Sequence, residues 1–86
     1  MNISSILITI HPPSVNETLK SLKCINGLEI YHVDEDVGQV VVIQEANSVD
    51  DEVAGLTAIK ALPNILYAEM VYHYFESQNN IVEAIN

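Results

Sequence analysis

Two segments of this chain share one apolar spacing, and that repetition limits the folds open to it more than any other feature. Val15, Leu19, Leu22 and Ile25 are separated by four, three and three residues, and so are Val49, Val53, Leu56 and Ile59. Such spacing lays an apolar stripe along one side of a helix. Each stripe sits between two segments of strand character. In Asn2 to Ile10, Ile6, Ile8 and Ile10 alternate with Leu7 and Thr9, and Leu28 to Val33 alternates similarly. Gln39 to Glu45 holds Val40-Val41-Val42-Ile43, apolar on both faces and therefore expected at the centre of a sheet. Ile65 to Phe75 is a long run that is again largely apolar on both sides, interrupted outward by Glu69 and His73.

The punctuation agrees with this division. Pro12-Pro13 ends the first strand and suits the first turn of a helix. Gly27 stops that helix, and Asp34-Glu35-Asp36 with Gly38 marks a turn. Asn47 or Ser48 caps the second helix, whose first turn carries Asp50, Asp51 and Glu52 at the positive end of the dipole, and Pro63 lies just beyond its end.

Two passes of strand, helix, strand describe an α+β ferredoxin-like plait, βαββαβ: a four-stranded antiparallel sheet with both helices on one face and the first and third strands central. Residues 1-76 are expected to form one such domain, and residues 77-86 a C-terminal tail that reads either as a frayed helix or as a short extra strand. With 86 residues the chain has material for a single core, burying roughly 60% of the surface its unfolded form exposes.

Charge narrows the partners. Twelve acids stand against Lys20, Lys23 and Lys60, there is no arginine, and the formal net charge is -9. Binding nucleic acid through phosphates needs a basic stripe that is missing here, and anionic membranes are excluded on the same ground. A cationic peptide or ligand is attracted instead. The apolar run Ile3 to Ile10 lacks the flanks of a secretory signal and is too short to span a bilayer. Cys24 is the only cysteine, so an intramolecular disulfide is impossible and a cytoplasmic location is expected, without stable membrane insertion.

Catalysis has little to work with, and no enzyme, metal site or cofactor is expected. His11, His32 and His73 fall on separate segments without the spacing of a helical metal pair. Asp34, Glu35 and Asp36 do not continue into a calcium-binding loop, and Ser4-Ser5 have no nearby base. An acylphosphatase-like activity on this fold wants an arginine to clamp phosphate.

The informative surface is the sheet face turned away from the helices. If Ile6, Ile8, Ile30, Val40, Val42, Leu66, Ala68, Met70 and Tyr72 point inward, alternation sends Ser5, Leu7, Thr9, Glu29, Tyr31, Val33, Val41, Ile43, Tyr67, Glu69, Val71 and His73 outward. An apolar face of this extent on a small protein marks an interaction site, to be covered by the tail, a second copy, a peptide or a small effector.

Ser5-Ile6-Leu7-Ile8, Gly38-Gln39-Val40-Val41-Val42, Glu45-Ala46, Ile65-Leu66-Tyr67-Ala68 and Met70-Val71-Tyr72-His73 together resemble the NapD family of chaperones for periplasmic nitrate reductase, over roughly Asn2 to Glu76. The resemblance implies a ferredoxin-like cytoplasmic chaperone that binds the twin-arginine signal peptide of the nitrate reductase catalytic subunit as a helix across the open sheet face. Export is then held back until the molybdenum cofactor is inserted. On that reading Leu7, Tyr31, Val41, Ile43, Tyr67 and Val71 meet the apolar stretch of the signal peptide. Glu29 and Glu69 form an acidic rim for its arginines, His73 is an outward contact, and Asp34 to Asp36 act as a more distant attractor. The alternative is a small-molecule-binding regulatory domain that dimerises through its sheet, and a homodimer that hides its sheets when unloaded is compatible with both.

Overall fold

A computed structural model describes the backbone of residues 2–77 and 80–85 and the side chains of residues 2–72. The strands are β1 (Asn2–Ile10), β2 (Leu28–Asp34), β3 (Gln39–Ala46), β4 (Ile65–Ser77) and β5 (Asn80–Ile85), and the helices are α1 (Val15–Leu22) and α2 (Val49–Lys60). The strand order is β2-β3-β1-β4-β5, with every pairing antiparallel. The four strands of the βαββαβ unit lie as expected, with β1 and β3 flanked on both sides. The tail adds β5 to the outer edge of β4, pairing Tyr72 with Ile85 at one end and Ser77 with Asn80 at the other. It therefore extends the sheet in its own plane.

Alternation along β1 and β3 builds the core. Ile6, Ile8 and Ile10 from β1 and Val40 and Val42 from β3 are fully buried under the helices. Val15 and Leu22 of α1, Ile59 of α2 and Ala68 of β4 complete the cluster, with Leu19 and Ile25 packed against it. Between β2 and β3 the Gly38 N–H donates to the Asp34 carbonyl (3.0 Å), and the Asp36 N–H to the Asp34 carboxylate (3.2 Å). Gly38 itself has φ +75°, and a Cβ there would lie 2.1 Å from the Ile10 carbonyl oxygen, so only glycine fits where this turn abuts the end of β1.

Helix α2 is rotated from the stripe its sequence announces. Val49 and Val53 are 58% and 56% exposed, whereas Glu52 and Ile59 are buried and Leu56 packs partly against the core. The cause is polar. Gln44 is buried in the helix-facing row of β3, and its Nε2 donates to Ser4 Oγ (3.3 Å) and to the Glu52 main-chain carbonyl (3.2 Å). A buried amide needs such partners, and α2 supplies one by turning Glu52 and Gly55 toward the sheet. At Gly55 an added Cβ would collide with Gln44 Oε1, so the close seat requires glycine. Ser48 caps the helix by accepting from the Asp51 N–H at 3.1 Å.

Three irregularities shift the faces of the outer strands. In β2 the pairing passes from Ile30↔Val42 to His32↔Val41, which makes Tyr31 an extra residue. Val33, expected outward, therefore pairs with Val40 and packs on the core, while His32, expected inward, stands opposite Val41 on the open side. In β4 the extra residues are Leu66 and Val71. Leu66, expected inward, is exposed, and Tyr72, also expected inward, pairs with Ser5 in an open-face row. An inserted residue breaks period-two alternation, so every position beyond it changes side.

One-sided burial has a mutational signature. Ile8→Ala should cost about 2–5 kcal/mol in urea unfolding, and Leu7→Ala, on the half-buried open face, roughly half of that or less. Equal losses would show that both faces are covered.

Candidate functional site

Strand register converts the open face into rows of neighbours. One row runs His32–Val41–Leu7–Glu69 across β2, β3, β1 and β4. The row on one side of it is Glu29–Ile43–Ser5–Tyr72, and on the other Asp34–Gln39–Thr9–Tyr67. Leu7, Val41 and Ile43, all half-buried, thus form an aliphatic centre. Glu29 and Asp34 stand along the β2 margin and Glu69 along the β4 margin, each exposed. Tyr31 and Tyr67, 75% and 53% exposed, flank the centre from opposite sides.

The width of this surface suits one helix. Three inter-strand spacings of about 4.8 Å separate β2 from β4, about 14 Å in all. An α-helix with side chains is about 10–12 Å across. A helix lying over Leu7, Val41 and Ile43 would have carboxylates on both flanks.

Of the residues expected at the site, Leu7, Glu29, Val41, Ile43, Tyr67 and Glu69 hold positions in these rows, and Tyr31 and Val71 are the inserted residues next to them in β2 and β4. The His73 backbone, expected outward, pairs with Ser4 of the buried helix-facing row, so beyond the Val71 insertion this position leaves the open-face rows; its side chain lies outside the described residues. His32, Leu66 and Tyr72 are additions that simple alternation misses. Their signal in β2 is the apolar spacing Leu28, Ile30, Val33, two and then three residues, which marks an insertion between Ile30 and Val33. In β4 the spacing of Ile65, Ala68 and Met70 is three and then two, but with apolar residues on both faces the slip is hidden.

Tyr67 and Glu69 are coupled. Tyr67 hydrogen-bonds to Glu69, which with the nearby carboxylate charge and slight desolvation holds the phenol pKa above its ordinary value. The Tyr67 hydroxyl therefore stays a donor to the Glu69 carboxylate at the margin. Asp34 is already engaged in the β2–β3 turn, which leaves Glu35 and Asp36 as the freer charges of that acidic segment. Shallow depressions border the face: about 230 Å³ beside Glu29 and Ile43, and about 250 Å³ beside Leu66 and Tyr67. Among the described residues no group of three or more His, Cys, Asp or Glu side chains is arranged to hold a metal ion. No described helix is long and apolar enough to cross a membrane.

Residues 1–77 match the model of the family described as NapD protein. Among solved structures, the chain is similar to the solution structure of the E. coli Tat proofreading chaperone protein NapD, with 20% identity and a TM-score of 0.79, over 91% of this chain and 82% of that one. It is also similar to a transcriptional regulatory protein of the ASNC family from Pyrococcus furiosus, with 14% identity and a TM-score of 0.71, over 91% of this chain and 53% of that one. No curated protein matches the sequence at a significant level. At these identities both structural likenesses establish the shared ferredoxin-like fold.

Removing the carboxylate in Glu69→Ala should lower the Tyr67 pKa toward the ordinary phenol value, as followed by NMR titration of ring-labelled tyrosine. An unchanged titration would show that the two side chains do not interact in solution.

Proposed function

We propose that this chain, which belongs to the NapD family, is a non-enzymatic cytoplasmic chaperone for a protein exported through the twin-arginine route. Its client would be the catalytic subunit of a periplasmic nitrate reductase, and its ligand the twin-arginine signal peptide of that subunit. The observation that carries the reading is the open face itself. An aliphatic centre with aromatic flanks and acidic margins is matched to a helix that is apolar along its length and basic at one end.

In this mechanism Leu7, Tyr31, Val41, Ile43, Tyr67 and Val71 take the apolar stretch of the signal helix, and burial of that surface supplies most of the affinity. The two arginines meet Glu29 and Glu69. Each exposed ion pair contributes only about 0.2–1 kcal/mol, so the acids orient the peptide and speed its capture rather than hold it. The net charge of -9 works in the same direction. A bound signal segment cannot at the same time engage the export machinery, so retention until the cofactor is inserted requires no chemistry from the chaperone.

With a domain at residues 1-76 and a tail at 77-86, the tail's β5 widens the sheet at the edge of β4. An unloaded protein could also shield this face against a second copy, and the peptide would then compete with dimerisation.

Calorimetry with a synthetic twin-arginine signal peptide tests the proposal. Saturable binding is expected, weakened about tenfold by Tyr67→Ala and several-fold by Glu69→Lys, with the Glu69→Lys effect shrinking as salt is raised. Absence of binding at high micromolar peptide would remove the proposal. Equal affinity for a peptide whose two arginines are replaced by glutamine would remove the role of the acidic margins.

A further inference from the structure

The turn between α1 and β2 holds the single Asn-Gly pair of the sequence, Asn26-Gly27. Gly27 cannot be exchanged there. Its φ is +86°, a left-handed backbone that glycine adopts without strain, and an added Cβ would lie 2.7 Å from the Glu45 carbonyl oxygen. The close approach belongs to the sheet, because the Gly27 carbonyl accepts from the Glu45 N–H at 2.8 Å just before the first β2–β3 partners, Leu28 and Gln44. The fold thus requires glycine at this position, and a glycine leaves the preceding asparagine unshielded by any following side chain.

The pair is also free to react. Asn26 is exposed, and its side-chain amide makes no hydrogen bond with a described residue. Neither the Asn26 carbonyl nor the Gly27 N–H is bonded to a described residue, so the peptide plane between them is untethered. The bond that closes the turn, from the Leu28 N–H to the Ile25 carbonyl, is 3.4 Å, beyond the usual range. Rotation of that plane brings the Gly27 nitrogen to the Asn26 side-chain carbon, and glycine accepts either sign of φ on the way. The other asparagines with described side chains are held differently. Asn16 lies inside α1, Asn47 precedes the Ser48 cap of α2, and Asn2 and Asn64 precede β-branched isoleucines.

We propose that Asn26 is a site of spontaneous modification in the folded protein, converted to aspartate and isoaspartate through a cyclic imide. The Gly27 nitrogen attacks the Asn26 amide carbon and gives its proton to solvent base. The new C–N bond closes the imide ring, and the former amide nitrogen takes a proton from solvent and leaves as ammonia. Water then opens the ring. Addition at the side-chain carbonyl yields aspartate with the backbone unchanged, whereas addition at the main-chain carbonyl routes the backbone through the former side chain and lengthens it by one carbon. Both products place a carboxylate near Glu45 and Asp51, which line the same depression as Asn26. The longer isoaspartyl link falls immediately before the Gly27–Glu45 bond and loosens the start of β2.

Peptide mapping of the folded full-length chain aged in mildly alkaline buffer tests the assignment, with a urea-unfolded sample in parallel. Cleavage after Lys23 and Lys60 isolates residues 24–60, and fragmentation of that peptide separates Asn26 from Asn47. The mass gain of an NH2-to-OH exchange is expected at Asn26 in the folded sample, with isoaspartate identified by resistance to a protease that cuts before aspartate. Asn26→Gln, at an exposed position, should abolish the gain and keep the fold, and Asn47→Gln should leave the gain unchanged. Chain enriched in isoaspartate should unfold at lower urea than Asn26→Asp. The proposal is overturned if the folded chain stays unmodified at Asn26 over the time in which the unfolded chain reacts, if Asn47 is the residue modified, or if Asn26→Gln gains mass at the same rate. Coinciding urea midpoints would overturn the loosening of β2.

Discussion

The burial of one branched aliphatic stripe decides everything else about this molecule. Ile6, Ile8, Ile10, Val40 and Val42 are withdrawn from water on a single face of the two central strands. Each such side chain contributes about 1.5–3 kcal/mol on burial, so the stripe outweighs every polar contact in the domain. It draws both helices to its own side. The buried amide of Gln44 then fixes how α2 sits, through Ser4 on the neighbouring strand and the Glu52 carbonyl on the helix. With both helices committed to that side and β5 added at the edge, no described helix covers Leu7, Val41 and Ile43.

The amino-acid sequence makes most of this plan legible. The doubled apolar spacing announces two strand-helix-strand passes, and the period-two alternation of β1 and β3 assigns both of their faces correctly. Where reading fails, the causes are specific. Val49 and Val53 continue the apolar spacing of α2 yet point to solvent, because one buried polar group, Gln44, outranks two valines in setting the rotation of that helix. Alternation cannot anticipate an inserted residue, so Tyr31, Leu66 and Val71 displace the faces of β2 and β4 beyond them. The Leu28, Ile30, Val33 spacing does register the insertion in β2. In β4 apolar residues on both sides erase the same clue.

The insertions also have a functional consequence. Each puts an additional residue on the outer strands of the open face, pairing Tyr31 with His32, Leu66 with Tyr67, and Val71 with Tyr72. Large side chains thereby accumulate at the margins while the centre stays aliphatic, which gives the face a trough-like distribution of bulk. A fold shared by a Tat proofreading chaperone and an ASNC-family regulator does not by itself select a ligand. Selection has to come from the chemistry of this face, and an aliphatic trough between carboxylates favours a guest that is apolar along one side and positively charged at an end.

The central claim is that a signal helix lies on the open face and not on the helix side, where exposed Val49 and Val53 offer the rival apolar surface. Intermolecular NOEs between an unlabelled twin-arginine peptide and methyl-labelled protein test this most directly. The account predicts NOEs from the peptide to the methyl groups of Leu7, Val41 and Ile43, with none to Val49 or Val53. NOEs confined to Val49 and Val53, with Leu7, Val41 and Ile43 silent, would contradict it.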